Sequence, residues 1–250
     1  MTHRLKVIGN YISPYVRKVL VCLELKQLEY EVDPIAPFVG NDEFTRLSPL
    51  RRIPVLVDGE LVLNDSSVIC QYLEDLHPSP SIYPRDIADR ARARWLEEYA
   101  DTRLADGLIW RLFYQLAIRR HVFGEAPDET VVQRARDEMI PSTLDYLEQQ
   151  LPGDGFVFGA LSIADISIAS YFRTASFVRY AIDAARWPRT AALVAQVQAL
   201  PVFQKLAHLE DCMLRLPLAE QRGALITAGA PLTSDTLGTS KPRPITPRAS

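Results

Sequence analysis

Residues 51–73 read RRIPVLVDGELVLNDSSVICQYL, and the rest of the chain is organised around this stretch. Pro54 opens a short apolar run, Val55-Leu56-Val57. Asp58-Gly59 supplies a two-residue signal for a tight hairpin, and Leu61-Val62-Leu63 is the returning strand. Proline removes a ladder donor, so Pro54 belongs at the first residue of its strand. The Ile53–Pro54 bond is there a candidate cis peptide that turns the backbone groups of Val55 outward. Asn64-Asp65-Ser66 then offers capping side chains to a helix whose Ile69, Tyr72, Leu73 and Leu76 recur at i, i+3, i+4 and i+7. A helix start aims unpaired N–H groups at one spot, and that spot attracts a carboxylate. Taken alone, these residues are accounted for by a hairpin and a capped helix, with Pro54 as strand punctuation.

Working outward toward the N-terminus, Leu5-Lys6-Val7-Ile8 reads as a strand and Gly9-Asn10 as the turn that leaves it. Ser13 precedes Pro14, the favoured first helical residue, and Val16, Val19, Leu20 and Leu23 form one apolar stripe through Lys26. Tyr30-Glu31-Val32 alternates as a second strand, so strand, helix and strand have the length of a βαβ unit. Residues 34–49 read as a loop with at most a short helix over 42–47. Residues 1–78 therefore read as an α/β domain, with a linker rich in proline and serine at 79–85.

Toward the C-terminus the pattern is helical. Residues 86–121 carry Trp95, Leu96, Tyr99, Leu104 and Leu108 at helical spacing, and residues 128–151 carry Val132, Ala135, Met139, Thr143 and Leu147. Ser162 and Asp165 form a capping box, with Leu161 and Ile166 as its hydrophobic staple. Helical patterns over 190–200 and 202–216 complete an all-α domain at 86–222. Residues 223–250 are rich in Pro, Thr, Ser and Gly and read as a tail with little core of its own.

Composition bounds the function. The chain has 250 residues, 48% hydrophobic and 24% charged, with a formal net charge of −3. No basic run or aromatic-interleaved basic cluster suggests nucleic acid, and no apolar stretch approaches membrane-spanning length. Cys22, Cys70 and Cys212 are odd in number and widely spaced, so neither a disulfide framework nor a zinc site is indicated; a cytoplasmic protein with reduced cysteines and no metal is the expectation.

Residues 48–56, SPLRRIPVL, followed by Asp65-Ser66, Ile69 and Tyr72-Leu73, resemble the glutathione-binding half of the cytosolic glutathione transferase family. Phe158-Gly159 and the Ser162/Asp165 box resemble the helix-start motif of that family's helical domain, so the resemblance spans about residues 4–212. It implies a thioredoxin-like N-terminal domain followed by the all-α domain, with glutathione as co-substrate and a homodimeric assembly. The implied glutathione-binding set is Arg52, Ile53, Pro54, Val55, Asp65 and Ser66. Within it Val55 pairs with the cysteinyl main chain, Asp65-Ser66 holds the γ-glutamyl end, and Arg52 suits the glycyl carboxylate. Arg51 departs from the family pattern, where glycine is common.

Ser13 resembles the active-site serine of the serine classes, including tau and zeta. A hydroxyl there donates to the glutathione sulfur and favours thiolate over thiol. Tyr11 is the competing donor, and on the residues alone Ser13 is also a plain helix cap. Arg17 and Lys18 read as solvated or interdomain charges. The electrophile pocket is expected to draw on Tyr11, Ile12, Trp110, Phe113 and Tyr114, although such aromatic clusters are often simply core. Its small hydrophobic electrophile stays open among halogenated aromatics, epoxides, maleyl isomers and peroxides. A non-catalytic binding or scaffold protein of the same fold is the alternative reading, and thiol–disulfide exchange is disfavoured because no cysteine stands at position 13. Residues 223–237 are expected either to pack against the body, helping to cover the electrophile, or to form a disordered tail, with the basic end from Lys241 loose.

Overall fold

In the computed structural model, which describes residues 4–243, β1 (Leu5–Ile8) and β2 (Tyr30–Asp33) pair in parallel, Leu5 opposite Tyr30 and Ile8 opposite Asp33. A parallel pair needs a crossover, which α1 (Pro14–Leu25) supplies. β3 (Val55–Asp58) runs antiparallel to β1 and β4 (Leu61–Asn64) antiparallel to β3, giving the order β2-β1-β3-β4. The β3–β4 turn is centred on Gly59-Glu60, one residue later than the sequence pattern suggests. Asp58 still pairs with Leu61, and Gly59, at φ 60, takes the left-handed turn position. A short helix, α2 (Asp42–Leu47), is capped by Asn41, whose Oδ1 accepts from Phe44 N at 2.9 Å.

After β4 comes α3 (Ser66–Leu76), which packs on α1. Lys18 and Lys26 of this helix pair are buried, not solvated. Lys18 Nζ donates to Ser67 Oγ at 3.0 Å. Lys26 Nζ donates to Glu74 Oε2 at 2.7 Å, to the His77 carbonyl at 2.5 Å and to that of Pro80 at 2.9 Å. A cation thus closes the C-terminal end of α3, where the helix dipole and the orphan carbonyls favour it.

The described chain divides into two units, one running to Pro80 and resuming at Gln204, the other Ser81–Phe203. The sequence pattern assigns the chain after 203 to the helical domain and a tail. In the structure it groups with the sheet, because charged residues of α1 find their partners there. Arg17 Nε donates to Glu210 Oε1 of α9 (Pro201–Met213) at 2.5 Å, both side chains being 1% exposed. Lys205 Nζ reaches the two oxygens of Glu24 at 2.7 and 2.8 Å. A further helix, α10 (Leu218–Thr227), runs through Gly223, so the region rich in Pro and Thr starts later than expected.

The segment after α10 packs on the sheet unit. Val32, on the outer edge of β2, donates to the Pro231 carbonyl at 2.7 Å and accepts from Thr233 N at 3.1 Å. Arg243 is also tied down, its N donating to the Phe38 carbonyl at 2.6 Å and its Nη1 to Asp42 Oδ1 at 2.6 Å. The expected loose basic end is therefore held as far as Arg243, and residues 244–250 lie outside the described residues.

The second unit is helical. α4 (Ile87–Tyr99) continues as a π-helical stretch over Ala100–Arg119; α5 (Glu129–Arg134) leads through a second such stretch, Ala135–Met139, into α6 (Ile140–Gln150). α7 (Ile163–Ser176) is buried almost all round and packs against α4, the Ala100–Arg119 stretch and α8 (Pro188–Gln198), as a helix without a polar face must. Its capping box is formed: Asp165 Oδ2 accepts from Ser162 N at 2.8 Å and Oγ at 2.6 Å, and Oδ1 accepts from Val157 N at 2.9 Å. Among the described residues no helix is long and apolar enough to cross a membrane, and no group of three or more His, Cys, Asp or Glu is placed to hold a metal ion. The three cysteines are free.

Candidate functional site

Strand register brings the separated site residues of the sheet unit together. Ile8, the last residue of β1, pairs with Val55, the first of β3, and Val55 pairs with Asn64, the last of β4. At this one end of the sheet, the chain therefore leaves β1 into the 9–13 loop, enters β3 through Ile53-Pro54, and leaves β4 into Asp65-Ser66. Gly9 lets the first two meet: a Cβ there would lie 2.5 Å from Val16 Cγ2 and 3.3 Å from Ile53 Cβ, so any larger residue would push the loop off β3. The Ile53–Pro54 peptide is cis.

The 9–13 loop is fixed from both sides. Asn10 Oδ1 accepts from Ile12 N at 3.0 Å, and Arg17 Nη2 donates to the Ile12 carbonyl at 3.4 Å. Ser13 is half-exposed and caps α1 only loosely, accepting from Val16 N at 3.4 Å. Tyr11 is different: it is 1% exposed and its hydroxyl makes no hydrogen bond among the described residues. Burial raises its pKa well above the usual phenol range, with the charges of Glu24 and Cys212 adding to the effect, so it stays protonated.

The other side of the site is the head of α3. Asp65 sits at φ 78, ψ 129, a strained backbone for a residue with a side chain. It is held there by its own cap: Oδ1 accepts from Ser67 N at 2.9 Å and from Val68 N at 3.2 Å, leaving Oδ2 outside the cap. The cap does not reach the N–H of Ser66. The Ser66 residue is 2% exposed, and its hydroxyl is buried with no hydrogen-bond partner among the described residues. Buried hydroxyls are normally satisfied, so this orphan, on the first residue of α3, is a departure from the rule.

Arg52 is exposed, with its backbone pinned by Ser48, whose Oγ donates to the Arg52 carbonyl at 2.8 Å and accepts from its N at 2.9 Å. The departure at Arg51 has a structural use. This residue sits at φ 49, the conformation that glycine takes freely, and its Nη2 donates to the carbonyls of Pro37 and Gly40 at 3.0 Å each. Sequence reasoning missed this clamp; the only signal was an arginine standing where glycine is common.

In the second unit two of the three expected aromatic residues form a ring pair, and the third pairs elsewhere. Trp110 and Tyr114 are 6.2 Å apart between ring centroids, and Phe113 pairs with Phe177 at 6.4 Å. Phe113 is core, while the Trp110 indole N–H is buried without a partner.

Comparison with known proteins agrees with this geometry. The sequence matches the family profiles "Glutathione S-transferase, N-terminal domain" over residues 7–81 and "Glutathione S-transferase, C-terminal domain" over residues 117–207. It is 31% identical over 209 residues to the probable maleylacetoacetate isomerase of Vibrio cholerae, covering 80% of this chain and 93% of that protein. It is 31% identical over 211 residues to a zeta-class glutathione S-transferase of Euphorbia esula, covering 80% and 88%. The fold superposes on a crystal structure of a glutathione S-transferase from Rhodospirillum rubrum with a TM-score of 0.76 and 26% identity, over 88% of this chain and 99% of that one.

Proposed function

The chain belongs to the glutathione transferase family of enzymes, and from that premise we propose that it binds glutathione across the end of the sheet where Ser13, Pro54 and Ser66 converge, and uses the glutathione thiolate to conjugate or reduce a small hydrophobic electrophile. The orphaned Ser66 hydroxyl carries this reading. With the Ser66 N–H and the dipole of α3, it offers the γ-glutamyl carboxylate a charge-assisted site, while Asp65 Oδ2 faces the neighbouring ammonium. Val55 continues the match by pairing its main chain with the cysteinyl unit, Ile53 and Pro54 shape the approach, and Arg52 is free to meet the glycyl carboxylate.

Ser13 then stands nearest the sulfur. A hydroxyl donating to sulfur stabilises the thiolate, whose lone pair forms the new bond to the electrophile as the leaving group departs or a double bond opens. Tyr11, 1% exposed, offers its hydroxyl less readily to a ligand sulfur than half-exposed Ser13 does. The maleyl group is the first electrophile to test, in view of the name of the Vibrio cholerae relative. We further propose that the enzyme acts in the cytoplasm, where its free cysteines stay reduced. A homodimer is supported by the exposed apolar Val68 and Leu76 of α3, each 49% exposed.

The test is calorimetric titration with glutathione, followed by turnover of maleyl, halogenated aromatic, epoxide and peroxide substrates by wild type, Ser13→Ala and Tyr11→Phe. Ser13→Ala is expected to keep glutathione affinity and lose about 10- to 150-fold in kcat, the worth of a hydrogen bond to a charged group, about 1.5–3 kcal/mol. Full activity in Ser13→Ala with loss in Tyr11→Phe would transfer the role to Tyr11. A wild-type chain that binds glutathione without turning over any of the panel would favour the non-catalytic reading. Light scattering is expected to give twice the 28.2 kDa of the chain.

A further inference from the structure

The segment after α10 does more than cover an edge. Leu237 O accepts from Asn41 N at 2.8 Å, Gly238 bridges Gly40, and Thr239 N and Oγ1 both donate to the Val39 carbonyl, at 2.6 and 3.0 Å. Arg243 adds its bonds to Phe38 and Asp42, so every residue from Phe38 to Asp42 meets the segment. Its anchor is Asp33, a buried carboxylate at the end of β2, which accepts from Thr236 Oγ1 and from Leu237 N at 2.7 Å each. Asp33 pairs with Ile8 and so belongs to the same row of the sheet as Val55 and Asn64.

The 37–42 loop thus has one side on this segment and the other on Arg51, which holds the Pro37 and Gly40 carbonyls and immediately precedes Arg52-Ile53-Pro54. Thr45 Oγ1 and the Phe44 ring complete the seat of the Arg51 guanidinium, at 2.5 Å and at 5.5 Å from the ring centroid. Each contact is local, but together they form one chain of bonds from the C-terminal segment to the opening of β3.

We propose that residues 230–243 are an intramolecular strap that sets glutathione affinity, with Arg51 as the positioning residue that passes loop order on to Arg52 and Pro54. The inference rests on the reading that glutathione binds at this end of the sheet. With the strap docked, the loop and Arg51 are pre-organised; with it released, the loop samples arrangements in which Arg51 loses its carbonyl seats. Apparent affinity falls by the fraction of time the competent arrangement is lost, so competence one-tenth of the time weakens binding about tenfold.

The experiment uses the full-length chain carrying Thr236→Val, Leu237→Pro and Arg243→Ala together, which removes the strap's donors to Asp33 and Asp42, with Arg51→Ala as a second, independent variant. Hydrogen exchange reports the loop directly, and titration reports glutathione. Expected are faster exchange over residues 37–44, about tenfold higher glutathione Kd and KM, kcat at saturating glutathione within about twofold of wild type, and an unchanged electrophile KM. Arg51→Ala is expected to raise Kd similarly, and the combined variant to fall short of the product of the two effects, because both act through one loop. Unchanged exchange over 37–44 in the strap variant, or unchanged affinity when that exchange rises, would overturn the strap. Independent, multiplying effects would overturn the route through Arg51. Absence of glutathione binding by the unmodified chain would instead refute the binding site itself, and the wild-type titration distinguishes that result.

Discussion

Ser66→Ala is expected to make the free protein more stable and the complex weaker. In the free protein the Ser66 hydroxyl has left water without gaining a partner, and such an orphan costs about 1–3 kcal/mol. Alanine deletes the oxygen, keeps the helix start and leaves the Asp65 cap on Ser67 and Val68 untouched. If only the lower end of that cost is recovered, a chain of this size melts about 2–4 °C higher. In the proposed complex the same hydroxyl would donate to a carboxylate, a bond worth about 1.5–3 kcal/mol, so its loss is expected to raise the glutathione Kd by about 10- to 150-fold. Melting curves with and without glutathione read both effects at once, because the ligand stabilises in proportion to the logarithm of its concentration over Kd. The variant should start higher and gain less. A lower melting point in the free variant would refute the argument from the orphaned hydroxyl, and an unchanged Kd would remove Ser66 from the site.

Arg17→Met takes the guanidinium from a fully buried Glu210 and should cost about 3–5 kcal/mol in urea denaturation, while Arg17→Met with Glu210→Leu should recover most of it. Asp165→Ala strips acceptors from Val157 N, Ser162 N and the Ser162 hydroxyl and should cost about 2–4 kcal/mol, read by thermal unfolding. The hydrogen bond from Arg243, followed by its charge, holds the Asp42 carboxyl below its usual range. Its folded pKa is depressed, so the pair's contribution is present above the unfolded value of about 3.9 and is lost as pH falls through the folded one. Carboxyl NMR titration should find the Asp42 midpoint low in wild type and near the unfolded value in Arg243→Ala.

The elements of the sheet unit were legible because each has a local cause. Pro14 after Ser13 starts α1, Asp65 caps α3, and Pro54 can open β3 but not continue it. The convergence of Ser13, Pro54 and Ser66 is legible only at one remove, since it follows from a register that joins Ile8, Val55 and Asn64. What sequence did not disclose is long-range pairing between charged residues. Arg17 and Lys18 read as solvated or interdomain charges, and nothing within α1 announces that Glu210 lies 193 positions away or that Ser67 accepts from Lys18. The segment after α10 was half legible: its packing on the body was one of the two expectations, whereas its order beyond Lys241 as far as Arg243 was not expected. Its prolines exclude a long helix and a central strand, but a single bridge to an edge residue such as Val32 needs neither. There composition describes the segment in isolation, while its order comes from donors supplied to Asp33, Val39 and Phe38.

The return of the chain at Gln204 to the unit it left at Pro80 has a consequence for synthesis. Residues 81–203 are contiguous, so on the ribosome they can fold as soon as they emerge. The sheet, translated before residues 81–203, is completed only after them: until Glu210 is made, the Arg17 guanidinium lacks that counter-ion, and until Thr236 and Leu237 follow, Asp33 lacks two of its donors. The sheet unit, begun before residues 81–203, is thus finished after them. Its exposed β2 edge is the part of the nascent chain most in need of a chaperone in that interval.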